Sequence, residues 1–142
     1  MNKLTYRRVV RASAFYDLVV ALPFATPWTA RFVLDCLAQL HDVMGVGGQP
    51  LPAFGPMHLL FVSFFGTIVT LWSLLRLRFP EPSNGLADAI ARGFFSAWMV
   101  FAVAAGETRL LVGFLAVEVM WGVIQAAGYA TLRASASPAR TR

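Results

Sequence analysis

Four stretches of the chain hold apolar residues at nearly every position over roughly the 20 residues that a helix needs to cross about 30 Å of hydrocarbon. They run from about 4 to 26, 57 to 77, 86 to 106 and 110 to 132. None alternates apolar and polar residues in the period of two that a half-buried strand requires. The pattern predicts an all-α fold, an integral membrane four-helix up-and-down bundle, with residues 1–142 as a single membrane domain.

The segments between these stretches carry their own signals. Thr26 is a good helix cap with Pro27 at the first helical position, where a missing N–H is harmless. From there to Met44, Phe32, Val33, Cys36, Leu37, Leu40 and Met44 fall on one broad face, and Arg31, Asp35, Gln39 and Asp42 on the other. This predicts an amphipathic interfacial helix over 27–44, between the first and second transmembrane helices, with Arg31 and Asp35 paired one turn apart. The run GVGGQPLPAFGP from Gly45 predicts an irregular loop. Around FPEPSNG the prolines break the chain, with Ser83 or Asn84 as the expected cap of the next helix and Asp88 and Arg92 paired within it. The link from Gly106 to Arg109 is so short that the last two helices are expected to be antiparallel neighbours. A disordered tail is expected over 134–142.

Charge then orients the bundle. With the N-terminus inside, Lys3, Arg7, Arg8, Arg11, Arg76, Arg78, Arg92, Arg133, Arg140 and Arg142 fall on the cytoplasmic side, and only Arg31 and Arg109 on the other. The expected location is therefore the cell (inner) membrane, multi-pass, with both termini cytoplasmic. Asp17 interrupts the first apolar stretch and no small-residue cleavage site follows, so that stretch reads as a retained span rather than a signal peptide. With 58% hydrophobic and 13% charged residues, the net charge of +5 reads as a topology signal and a contact to anionic lipid, not as a nucleic-acid surface. The expected partners are membrane lipid and another membrane protein or a second copy of the chain, with no nucleic acid.

Two acids inside the apolar stretches are the most informative residues. Asp17 is about 18 Å from the cytoplasmic edge and Glu118 about 12 Å from the outer edge, hence at a similar depth on helices that are usually neighbours. Ionisable groups at that depth default to a functional hypothesis, a ligand or proton site, and two carboxyls side by side would suit one shared proton. The plain alternative is packing glue, with each acid bonded to Ser13, Tyr16, Gln125 or a neighbouring helix. Tyr16, Ser96, one turn from Arg92, and Gln125, which shares a face with Glu118 and Tyr129, are the further candidates for the interior. Ser63, Thr67 and Thr70 share a face of the second span, where hydroxyls commonly bond the carbonyl four residues back. Gly66, Gly113 and Gly122 are expected at close helix contacts.

Cys36, His41, Met44, Met57 and His58 collect on the outer side and are weak candidates for a soft-metal site, but their spacing matches no metal motif and no metal or other cofactor is expected. The single cysteine excludes an internal disulfide. Trp28 and Tyr129 suit the membrane interfaces, while Trp72, Trp98 and Trp121 read as packing or lipid-facing. No nucleophile elbow, HExxH or phosphate loop is present, so soluble-type catalysis is not expected. The leading expectation is a non-catalytic membrane protein, an accessory subunit or a binder of a lipophilic molecule. A proton-coupled transporter acting as an oligomer is the alternative, and an intramembrane acid/base enzyme on a lipid-like substrate a further one.

Overall fold

The structure is a computed structural model and describes residues 1–136. It is all-α, with five α-helices in the order α1 (Lys3–Ala21), α2 (Pro27–Met44), α3 (Pro56–Arg78), α4 (Pro82–Ala104) and α5 (Leu110–Ala136), and a 3-10 turn over Leu22–Ala25 between α1 and α2. No strand forms among the described residues; Gln49 and Glu107 make one isolated bridge. Three helices, α3, α4 and α5, are each long and apolar enough to cross a membrane. Helices α1 and α2 pass the same criterion only as a pair, and that pair is bent by 106°.

The bend has a local cause. Pro23 sits in the 3-10 turn, Thr26 is extended, and its hydroxyl accepts from the Thr29 N–H at 3.3 Å as Pro27 opens α2. A straight helix through two prolines would lose hydrogen bonds and clash, so the chain turns instead. The corner closes tightly on α3, because a Cβ on Gly66 would run into the backbone of Phe24 and Ala25. Helix α2 ends on Gly45, whose left-handed φ of 58° suits glycine. Of its expected apolar face, Phe32, Leu40 and Met44 are exposed, and the helix packs through Ala30 and His41. Nor do Arg31 and Asp35 pair among the described residues; Arg31 reaches the Phe54 carbonyl at 3.4 Å.

Helix α4 starts two or three residues earlier than its sequence suggests. Glu81 is the N-cap and Pro82 opens the helix, leaving Ser83 and Asn84 inside the first turn. Glu81 also pairs with Arg7 and with Lys3, locking the start of α4 to the start of α1. The short link after α4 makes α4 and α5 antiparallel neighbours sharing the largest interface in the fold. Helix α1 touches α3, α4 and α5, with Tyr6 against Tyr129 and Tyr16 against Trp121 fixing its register on α5. Residues 134–136 of the expected disordered tail continue α5, and the remainder of that tail lies outside the described residues. Among the expected glycine contacts, Gly66 makes one and Gly122 lies at ordinary distance from Arg92, but Gly113 has nothing near it.

What the fold buries is polar. Ser13, Asp17, Ser73, Arg76, Asp88, Arg92 and Gln125 are all inside, while Phe61, Ile68, Trp98 and Phe101 are each more than 60% exposed. That inversion suits a chain whose surroundings are apolar. It also changes the charge argument. Arg76 and Arg92 are buried within the bundle, so two of the ten cations expected on the cytoplasmic side no longer count as loop charge.

Candidate functional site

Three helices each place two polar side chains one turn apart on their inner face: Ser13 and Asp17 on α1, Trp72 and Arg76 on α3, Asp88 and Arg92 on α4. Residues at i and i+4 lie above one another on a helix, so each pair enters the bundle as a unit. Glu118 comes in alone from α5.

These side chains form one cluster. Arg92 sits at its centre, donating from Nε to Asp88 at 3.1 Å, from Nη1 to Glu118 at 2.8 Å and from Nη2 to Asp17 at 2.6 Å and to Ser13 at 2.9 Å. Arg76 donates from Nη2 to Asp17 at 2.5 Å, lies 2.5 Å from Asp88 through Nη1, and rests over the Trp72 ring at 5.5 Å. Trp72 Nε1 donates to the other Asp88 oxygen at 3.1 Å. Asp17 and Asp88 are therefore each held by both guanidiniums, the crosswise pattern by which buried charges offset the loss of water. Glu118 is held by Arg92 only and is the most exposed member.

Asp17 and Glu118 are thus brought to one place, but Arg92 stands between them. The side-by-side carboxyls expected to share a proton are replaced by carboxylates bridged through a guanidinium. Arg76, Asp88 and Arg92 are not among the site residues that the sequence suggests, where both arginines count as cytoplasmic charge, and Trp72 reads there as packing or lipid-facing. The signal available was the pairing of Asp88 with Arg92 one turn apart; Arg76 has no acid on its own helix to mark it.

Beside the cluster lies a cavity of about 870 Å³, running between α3 and α4 and closed behind by α1 and α5. The backbones of α3 and α4 stand apart along it, and side chains span the space between them. Phe65 and Phe95 meet edge to face across the gap, 5.6 Å between ring centres. Asp17, Asp88, Arg92 and Glu118 line one end, and Phe24, Phe61, Ala102 and Leu111 the other. The rest of the wall is almost wholly apolar. Exposed Phe61, Phe65, Ile68 and Trp98 on its rim make it a groove open sideways.

The other candidates divide. Tyr16 lines the cavity, its ring 6.3 Å from that of Trp121. Ser96 is half-buried and Gln125 fully buried, and neither reaches the cavity wall. The buried hydroxyls of Ser63 and Thr70 bond nothing among the described residues, and Thr67 reaches the Ala25 carbonyl at 3.4 Å, so the expected bond to the carbonyl four residues back is absent from all three. Ser73 is the hydroxyl on α3 that makes it, at 2.8 Å to Val69.

The outer-side sulfur and imidazole residues are not gathered. Nδ1 of His41 is 2.7 Å from the Thr108 hydroxyl, which ties α2 to the α4–α5 link, and the Gly55 N–H donates to Nδ1 of His58 at 3.3 Å at the start of α3. Cys36 is exposed. Among the described residues no three His, Cys, Asp or Glu side chains form a set that could hold a metal ion. Compared with protein-family models, with curated proteins and with solved structures, the chain matches none. The site therefore has to be read from its own chemistry.

Proposed function

We propose that this chain is a four-span membrane protein with both termini cytoplasmic, and that it binds a lipophilic molecule, without transforming it, in the groove between α3 and α4. In this reading α1 crosses the bilayer, α2 lies along the outer surface beyond the 106° corner, and α3, α4 and α5 complete the bundle. The groove is the observation that carries it. From Asp88 to Ala102 its wall follows about 21 Å of α4 at 1.5 Å per residue, apolar except at the charged end. It opens toward the side that lipid occupies around spanning helices. Pockets of this size and lining are the usual form of a small-molecule site.

The test is retention of a ligand. Protein purified in a mild detergent is expected to carry a lipophilic molecule visible in native mass spectrometry, and Val69→Trp, which fills the middle of the groove, is expected to abolish it. A wild-type protein that binds no apolar probe would overturn the reading. One observation favours a second reading, an intramembrane acid/base enzyme, because Asp17 and Glu118 both face the same groove. Turnover of a bound lipophile that stops in both Asp17→Asn and Glu118→Gln would support it over simple binding.

A further inference from the structure

We infer that the molecule taken up in the groove is an amphiphile with a cationic head, its ammonium seated against Glu118 and its apolar part running toward Ala102. This rests on the groove being a binding site, and adds the ligand's charge.

Charge balance is the first ground. Asp17 and Asp88 against Arg76 and Arg92 already make a neutral set, each acid touching both guanidiniums. Glu118 adds a third carboxylate with no cation of its own, so the cluster holds one negative charge in excess. Arg76 does not line the groove, so the wall itself presents three carboxylates and one guanidinium.

Donor and acceptor supply is the second. The Nε and both Nη atoms of Arg92 already donate within the cluster, as do both Nη atoms of Arg76, and the remaining Nε of Arg76 is buried behind the wall. An anionic head would find only the second N–H of Arg92 Nη1 and the Tyr16 hydroxyl, and no cation there that is not already offset by a carboxylate. Glu118 accepts through Oε2 only, and among the described residues nothing bonds its Oε1. What the site lacks is a positive donor. An ammonium supplies one, and the Tyr16 and Trp72 rings that share this end of the groove suit a cation as well.

The experiment uses the full chain in phosphatidylcholine nanodiscs. Three probes of equal chain length, an alkyltrimethylammonium, an alkyl alcohol and an alkyl sulfonate, are compared by equilibrium binding, with Val69→Trp discs subtracted to remove simple partitioning. The wild type is expected to bind the cation roughly tenfold or more tighter than the alcohol, and the sulfonate least. Glu118→Gln is expected to erase the preference while the alcohol still binds, and Glu118→Asp to keep it. Should Glu118→Gln not fold, the wild type and Glu118→Asp still decide through their cation-to-alcohol ratio. Equal binding of alcohol and cation, or tighter binding of the sulfonate, overturns the cationic head and leaves the groove's role intact. Failure of all three probes overturns the binding site itself. Phosphatidylethanolamine competing as well as the trimethylammonium probe would assign the ammonium to membrane lipid, and its failure to compete to a free amphiphile; both uphold the positive head.

Discussion

Arg92 is the residue on which most of the interior depends. Its guanidinium touches acids from three helices, and no other side chain offers donors in that planar, forked arrangement. Arg92→Met should destabilise the protein by about 3–5 kcal/mol, because it leaves three buried carboxylates facing one guanidinium and takes from Glu118 its one cation. Arg92→Lys should rescue it only in part, since one ammonium cannot reach all three acids. Thermal or denaturant unfolding in detergent checks both. Combining Arg92→Met with Asp88→Asn should cost less than the two single changes added together, because the second removes part of the negative excess that the first creates. Additive losses would mean that the two side chains do not interact. That Asp17 and Glu118 come to one place was legible from the sequence, because their heights along neighbouring helices follow from counting residues at a fixed rise. The partners of those acids were not, because Arg76 lies in the last turn of α3 and Arg92 falls early in the stretch predicted from 86, where a cation reads equally well as an anchor at the membrane surface; α4 begins at Pro82, which puts Arg92 mid-helix.

Among the elements, the corner at Thr26 and Pro27 was the most legible, being encoded by adjacent residues and closed by a local hydrogen bond. Thr26→Ala should lower stability by about 1 kcal/mol through the lost cap. Gly66→Leu should be far more damaging, since the backbone of Phe24 already occupies that space, and unfolding measured on the two variants together separates a cap from a steric contact. Helix α2 was legible in extent and not in orientation. Its apolar residues cover more than half its circumference, so periodicity alone does not say which of them pack on the bundle. Ala30 and His41 do, and the small size of one and the Thr108 contact of the other explain why. The gap between α3 and α4 left no trace in either helix's pattern, because a wall facing a cavity and a wall facing lipid are equally apolar.

For the whole molecule, orientation is the property that most needs measuring, and the chain provides its own reporter. Cys36 is the single cysteine and is exposed on α2. If α2 lies on the outer surface, a membrane-impermeant thiol reagent should label intact spheroplasts as fully as it labels opened ones. Labelling only after lysis would reverse the orientation, and moving the thiol to an exposed polar position, as in Cys36→Ser with Asp42→Cys, separates orientation from shielding by lipid. With Arg76 and Arg92 set aside, the positive-inside count from the sequence is eight against two, and the labelling tests it.

The neutral set formed by Asp17, Asp88, Arg76 and Arg92 also bears on how the chain is made. All four residues have been synthesised by the time the ribosome reaches Ala104, so their charges can be mutually satisfied before α5 exists. The last helix then joins an assembly that needs no further ion from it, and it brings a carboxylate that biogenesis did not require.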